Sequence, residues 1–160
     1  MGLRSRYSAY LRYCLALILG VLIGGAVVAA EPSASLANPS SLGYLARIQQ
    51  NSPKDVKLAL LRAEELYLGG EISDQQPPLA FVLHGPEVAI FFKNNYRDYK
   101  SIVDLAARLS AFGVIDVAVC RTRLGVMGQD PAKLFPFVST VPFGPDEVER
   151  LLTDEQYVYF

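Results

Sequence analysis

The sequence predicts an α/β domain: an open, doubly wound, mostly parallel five-stranded sheet with helices on both faces. Three observations carry this reading. Leu79-Ala-Phe-Val-Leu83 is an unbroken apolar run, as a strand buried on both faces requires, and Val114 to Cys120 reads as a second such strand. Segments with helical apolar spacing alternate with the strands, which is the pattern of parallel strands joined by right-handed crossovers. The helical segments also carry their own start and stop signals.

Taken in order, Tyr44 to Gln49 is the first strand. Ser52 then offers an N-cap, with Pro53 at the first helical position and Asp55 in the first turn. Val56, Leu60, Ala63 and Tyr67 recur at helical spacing, flanked by Ala59 and Leu66, and Gly69-Gly70 ends the helix. A polar loop with Pro77-Pro78 leads into Leu79–Leu83, which His84-Gly85-Pro86 stops sharply. After a short apolar stretch from Val88 to Phe92, Asp98 is the expected N-cap of a second long helix. Its stripe is Ile102, Leu105, Ala106, Leu109 and Phe112, and Gly113 closes it. Beyond Cys120, Thr122 is expected to cap a short helical turn reaching Met127. Phe137 to Val141 is a further strand, Pro145-Asp146-Glu147 opens a last helix through Leu152, and Tyr157 to Phe160 is the final strand. Five strands and about four helices result, with a flavodoxin-like strand order 2-1-3-4-5 as the expected arrangement.

The first thirty residues differ in kind. Arg4, Arg6 and Arg12 precede an apolar run from Tyr13 through Ala30, and no acidic residue occurs before Glu31. Val28-Ala29-Ala30 supplies the small residues that signal peptidase accepts, so residues 1–30 read as a signal peptide. A run of this length also suits a membrane-spanning helix, which keeps a retained anchor as the alternative. Either way the positive flank places the domain outside the cytoplasm, periplasmic or secreted. Residues 31–43 (EPSASLANPSSLG) form a flexible linker, and the domain occupies 44–160. No cysteine ends the apolar run, so lipoprotein anchoring is not expected.

Cleavage removes three of 15 basic residues and none of the 16 acidic ones, leaving 12 against 16, a formal charge of −4. That balance argues against a nucleic-acid surface. No Gly-rich phosphate motif and no G-x-S-x-G follows any strand, so no cofactor is implied and no hydrolase triad is indicated. Cys14 lies in the leader, so Cys120 is the one thiol of the mature chain; with His84 as the sole histidine, a structural zinc site is not expected.

In an open α/β sheet, function gathers outside the carboxyl ends of the strands. That rule selects His84 after the second strand and Cys120 after the third. Cys120 stands where a strand hands over to a helical turn, with Arg121 and Arg123 beside it, a setting that favours thiolate over thiol. Its other reading is a small buried hydrophobe. His84 is an acid–base candidate or a residue that simply fixes the turn.

Three stretches, Val82-Leu83-His84-Gly85-Pro86, Asp116-Val-Ala-Val-Cys120 followed by Leu124, and Tyr157-Val158-Tyr159-Phe160, give the domain a family likeness. From about Ala46 to Phe160 it resembles the DsrE-like family of sulfur-relay proteins. The resemblance implies an α/β sheet, a homotrimer or larger ring, and a persulfide on the cysteine after the third strand, here Cys120. The family's His-Gly turn corresponds to His84-Gly85. Gln156 stands where the family often has glycine, and the leader contrasts with the cytoplasmic setting of known relays. The expected function is therefore an exported, DsrE-like persulfide carrier, with a sulfur donor or acceptor protein or a small sulfur compound as partner. The competing expectation is a non-catalytic binding or assembly module with a structural Cys120.

Overall fold

The computed structural model describes residues 43–72 and 76–160. The expected leader, and the linker up to Gly43, lie outside the described residues. Five strands form one sheet: β1 (Tyr44–Leu45), β2 (Leu79–Leu83), β3 (Ile115–Cys120), β4 (Val138–Val141) and β5 (Val158–Tyr159). All neighbours pair in parallel, in the order β4-β3-β2-β1-β5. Among the described residues four α-helices accompany them: α1 (Pro53–Leu68), α2 (Tyr96–Ala111), α3 (Arg121–Val126) and α4 (Gly144–Thr153). The α/β class, the parallel sheet and its open form are as the sequence predicts. The strand order is not 2-1-3-4-5: β1 lies between β2 and β5. The chain steps outward from β1 to β4, and the final crossover returns to the far side of β1.

Alternation along the strands divides the core into two layers. Leu79, Phe81 and Leu83 of β2 and Ile115, Val117 and Val119 of β3 face one side, against Val56, Leu60 and Ala63 of α1 and Ile102, Leu105, Ala106 and Leu109 of α2. Leu124 of α3 joins this layer. On the other side Leu45 and Val82 meet Leu151 of α4, with Ala80, Val141, Val148 and Leu152 packed around them. Phe81, Leu60 and Leu83 are all but fully buried, and full burial of such a side chain contributes about 1.5–3 kcal/mol.

Local chemistry sets the helix ends. Ser52 caps α1, its hydroxyl accepting from the Asp55 N–H at 3.2 Å, with Pro53 in the first turn. Three helices close alike. Beyond α2, Gly113 takes φ 68°, its N–H bonds the Ser110 carbonyl and that of Val114 bonds Leu109. Gly70 after α1 and Gly128 after α3 repeat the pattern. This is the Schellman closure, whose left-handed residue is most readily glycine.

Two helix expectations need correction. Asp98 is not the N-cap of α2, because a 3-10 turn over Lys93–Asn95 runs directly into Tyr96 and leaves Asp98 inside the first turn. Phe112 is 65 % exposed rather than core. It stands at the C-cap, beyond the last turn that faces the sheet, and Val103 is buried along α2 as well. The first strand is also shorter than Tyr44–Gln49; after the Ala46 N–H bonds the Ala80 carbonyl at 2.8 Å, the chain leaves the ladder.

Candidate functional site at the carboxyl edge

The ladder between β2 and β3 runs in register from Leu79 opposite Ile115 to Leu83 opposite Val119. His84 and Cys120 are the next residue on each strand. Alternation turns both toward the face that carries α4, the same side as Ala80, Val82 and Ala118. Neighbouring strands are about 4.8 Å apart, which makes His84 and Cys120 side-by-side neighbours at the sheet's rim.

The crossovers then part at Cys120. Leaving β3, the chain passes to the α1–α2 face through α3; leaving β4, it passes to the other face through α4. Adjacent strands whose connections depart to opposite faces define the switch point of a doubly wound sheet. Cys120 pairs with Val141 across this point. Gly144, the first residue of α4, is buried against both side chains. A β-carbon built on it would lie 2.5 Å from that of His84 and 3.2 Å from that of Cys120. Absence of a side chain at Gly144 is what lets the three strand ends converge.

Cys120 is itself the N-cap of α3, in place of Thr122. Its sulfur accepts the Arg123 N–H at 3.4 Å. Thr122 is diverted to the end of β4, where its N–H (3.3 Å) and hydroxyl (3.0 Å) both bond the Pro142 carbonyl. The thiol is free and only 2 % exposed. Arg121 is exposed and Arg123 half-buried, and neither forms an ion pair with another described residue. The Arg123 Nε is buried without a hydrogen-bond partner among the described residues. Among those residues, no group of three or more His, Cys, Asp and Glu side chains is arranged to hold a metal ion.

One residue of this edge was missed by sequence reasoning. Glu87 is 1 % exposed, and its Oε1 accepts the N–H of His84 at 3.0 Å and of Gly85 at 2.8 Å. The signal was a lone acid inside the apolar stretch Pro86–Phe92, where a charge is costly unless it is bonded.

A groove of about 400 Å³ lies lower on the α4 face, lined by Ala80, Ala118, Asp116, Glu147, Arg150 and Tyr157 among others, and does not include Cys120. Arg150 bridges Glu147 and Glu155 there. The Tyr157 hydroxyl's pKa is raised, first by burial and then by Glu155.

No family model and no curated protein matches the chain. A solved structure does: MTH1491, a protein of unknown function from Methanobacterium thermoautotrophicum, with a TM-score of 0.51 and 16% identity over 73% of this chain and 93% of that one. At that identity the likeness concerns the fold alone, and it agrees with the five-stranded parallel α/β sheet.

Proposed function

We propose that the protein is an exported, DsrE-like sulfur carrier in which Cys120 accepts sulfane sulfur as a persulfide. The observation that carries this reading is the convergence of Cys120, His84 and Gly144 at the switch point of the sheet, with the Arg123 N–H directed at the sulfur. That N–H lies 3.4 Å from the sulfur, and Arg121 and Arg123 follow Cys120 in the chain. In the proposed step the Cys120 sulfur attacks the outer sulfur of a donor R–S–SH. A bond forms between Cys120 and that sulfur, the donor's S–S bond breaks, and R–S⁻ departs with the proton that the Cys120 thiol gives up. One persulfide is exchanged for another, so no external oxidant or reductant is required. His84 is the proposed acid–base partner for that proton. Export is supported by the basic leader and the small residues before Glu31, with a retained anchor as the alternative.

A second reading has its own observation. A thiol that is 2 % exposed suits a packing residue in a binding or assembly module. Exposed apolar side chains such as Leu68, Phe112 and Val126 would then serve contact with other chains. Incubation with a persulfide or polysulfide, followed by mass spectrometry of the intact protein, tests the choice. One added sulfur that is absent from Cys120→Ser supports the carrier; a Cys120 that alkylates freely yet never gains sulfur contradicts the carrier, and one that resists both reagents in the folded protein supports the module.

A further inference from the structure

Glu87 occupies a position that packing alone does not require. It lies in the 3-10 turn Pro86–Phe91, whose N-cap, Gly85, has no capping side chain. Reaching back from that turn, its Oε1 collects the two N–H groups that follow the last residue of β2. Those groups would otherwise be donors without acceptors at a buried strand end. The other oxygen, Oε2, is buried and has no hydrogen-bond partner among the described residues. A buried carboxylate with one unpaired oxygen opposes folding, so the arrangement is stabilised elsewhere in the domain rather than by this residue alone.

The surroundings explain why the clamp closes here. A β-carbon on Gly85 would lie 2.4 Å from Glu87 Oε2 and 2.5 Å from the β-carbon of Asn51. Asn51 belongs to the loop after β1 and takes φ 47°, in the left-handed region that asparagine tolerates better than most residues. Loops after β1 and β2 are thus held against each other through Gly85. The direction in which the chain leaves β2 is fixed at His84 itself, whose β-carbon then rests against Gly144 beside Cys120.

We infer that Glu87 is a positioning residue for this edge: through the His84 and Gly85 N–H groups it holds the imidazole in register with Cys120. The inference rests on the reading of His84 and Cys120 as one site, and extends it to a residue that touches neither thiol nor substrate. An amide oxygen could take the same two N–H bonds, whereas a methyl group could take neither.

Because His84 is the sole histidine of the chain, its imidazole NMR signals report on this site without ambiguity. In the full chain, Cys120→Ser is expected to move those signals. The response should be lost in a Glu87→Ala background and restored by Glu87→Gln. A response as large in Glu87→Ala as in the native background overturns the inference, and so does failure of Glu87→Gln to restore it. If Glu87→Ala does not fold, amide exchange in the unsubstituted protein reads the clamp directly. The His84 and Gly85 amides should both be protected, and exchange of either at open-loop rates overturns the inference. None of these measurements requires sulfur transfer, so a native protein that never gains sulfur defeats the proposed function and still leaves the role of Glu87 decided.

Discussion

Gly144 and His84 approach so closely that a β-carbon on the glycine would stand 2.5 Å from the histidine's own. Real β-carbons do not come so near to another carbon, and the atom in the way is the root of a side chain rather than its flexible end. The same glycine borders Cys120, so one small residue at the start of α4 sets how tightly the ends of β2, β3 and β4 close.

Gly144→Ala is therefore expected to destabilise the domain by about 1–3 kcal/mol, the usual cost of overpacking. It should also displace the His84 imidazole signals. Urea denaturation and the NMR spectrum check both, and an alanine variant with native stability and an unmoved histidine contradicts the close approach.

Much of this edge was legible beforehand, for a simple reason. A strand stopped by His84-Gly85-Pro86 and another ending at Cys120 are local patterns, and parallel pairing puts both ends on one rim. The strand order was not legible, because the apolar pattern of β5 is the same whether it flanks β1 or β4. Its place depends on the last crossover, whose helix buries Leu151 on the opposite face from α1 and α2. Thr122 was a reasonable cap by residue type. The helix starts one residue after the strand ends, so the sulfur of Cys120 takes the cap and the threonine hydroxyl is free to bond Pro142. Glu87 was overlooked because a single acid in an apolar run has no periodicity to mark it.

Where sequence and structure agree on a cap, the consequence can be measured. Ser52→Ala removes the acceptor of the Asp55 N–H and is expected to cost about 1 kcal/mol. Denaturant titration should show a lower midpoint with an unchanged slope. No change in midpoint would mean that the cap contributes nothing to the start of α1.

Acid should weaken the α4 end of the domain in a definite way. Arg150 holds the Glu147 carboxyl below its ordinary pKa of 4.5, chiefly by hydrogen bonding, and the Arg150 pKa is correspondingly raised. The pair is bidentate, through Arg150 Nε at 3.0 Å and a terminal nitrogen at 2.6 Å. A lowered folded-state pKa gives stability that is present above the unfolded value and lost as pH falls through the folded one. The arginine side chain is 43% exposed, so solvent screening limits the effect to about 0.2–1 kcal/mol. Glu147→Gln should lose that amount at neutral pH, and the difference from the native protein should vanish as pH falls through the lowered folded-state pKa of Glu147. A difference that persists undiminished in acid would show that the glutamate acts by packing and not by charge.

The reactivity of Cys120 underlies the whole functional account. Its burial favours an inert thiol, whereas the Arg123 N–H and the place at the switch point of the sheet favour a reactive one. The most direct measurement is intact-protein mass spectrometry after exposure to a persulfide donor, with Cys120→Ala in parallel. A persulfide carrier gains one sulfur in the native chain, reversed by reductant and absent from a folded Cys120→Ala. A native protein that gains no sulfur while Cys120 remains open to alkylation would contradict that role.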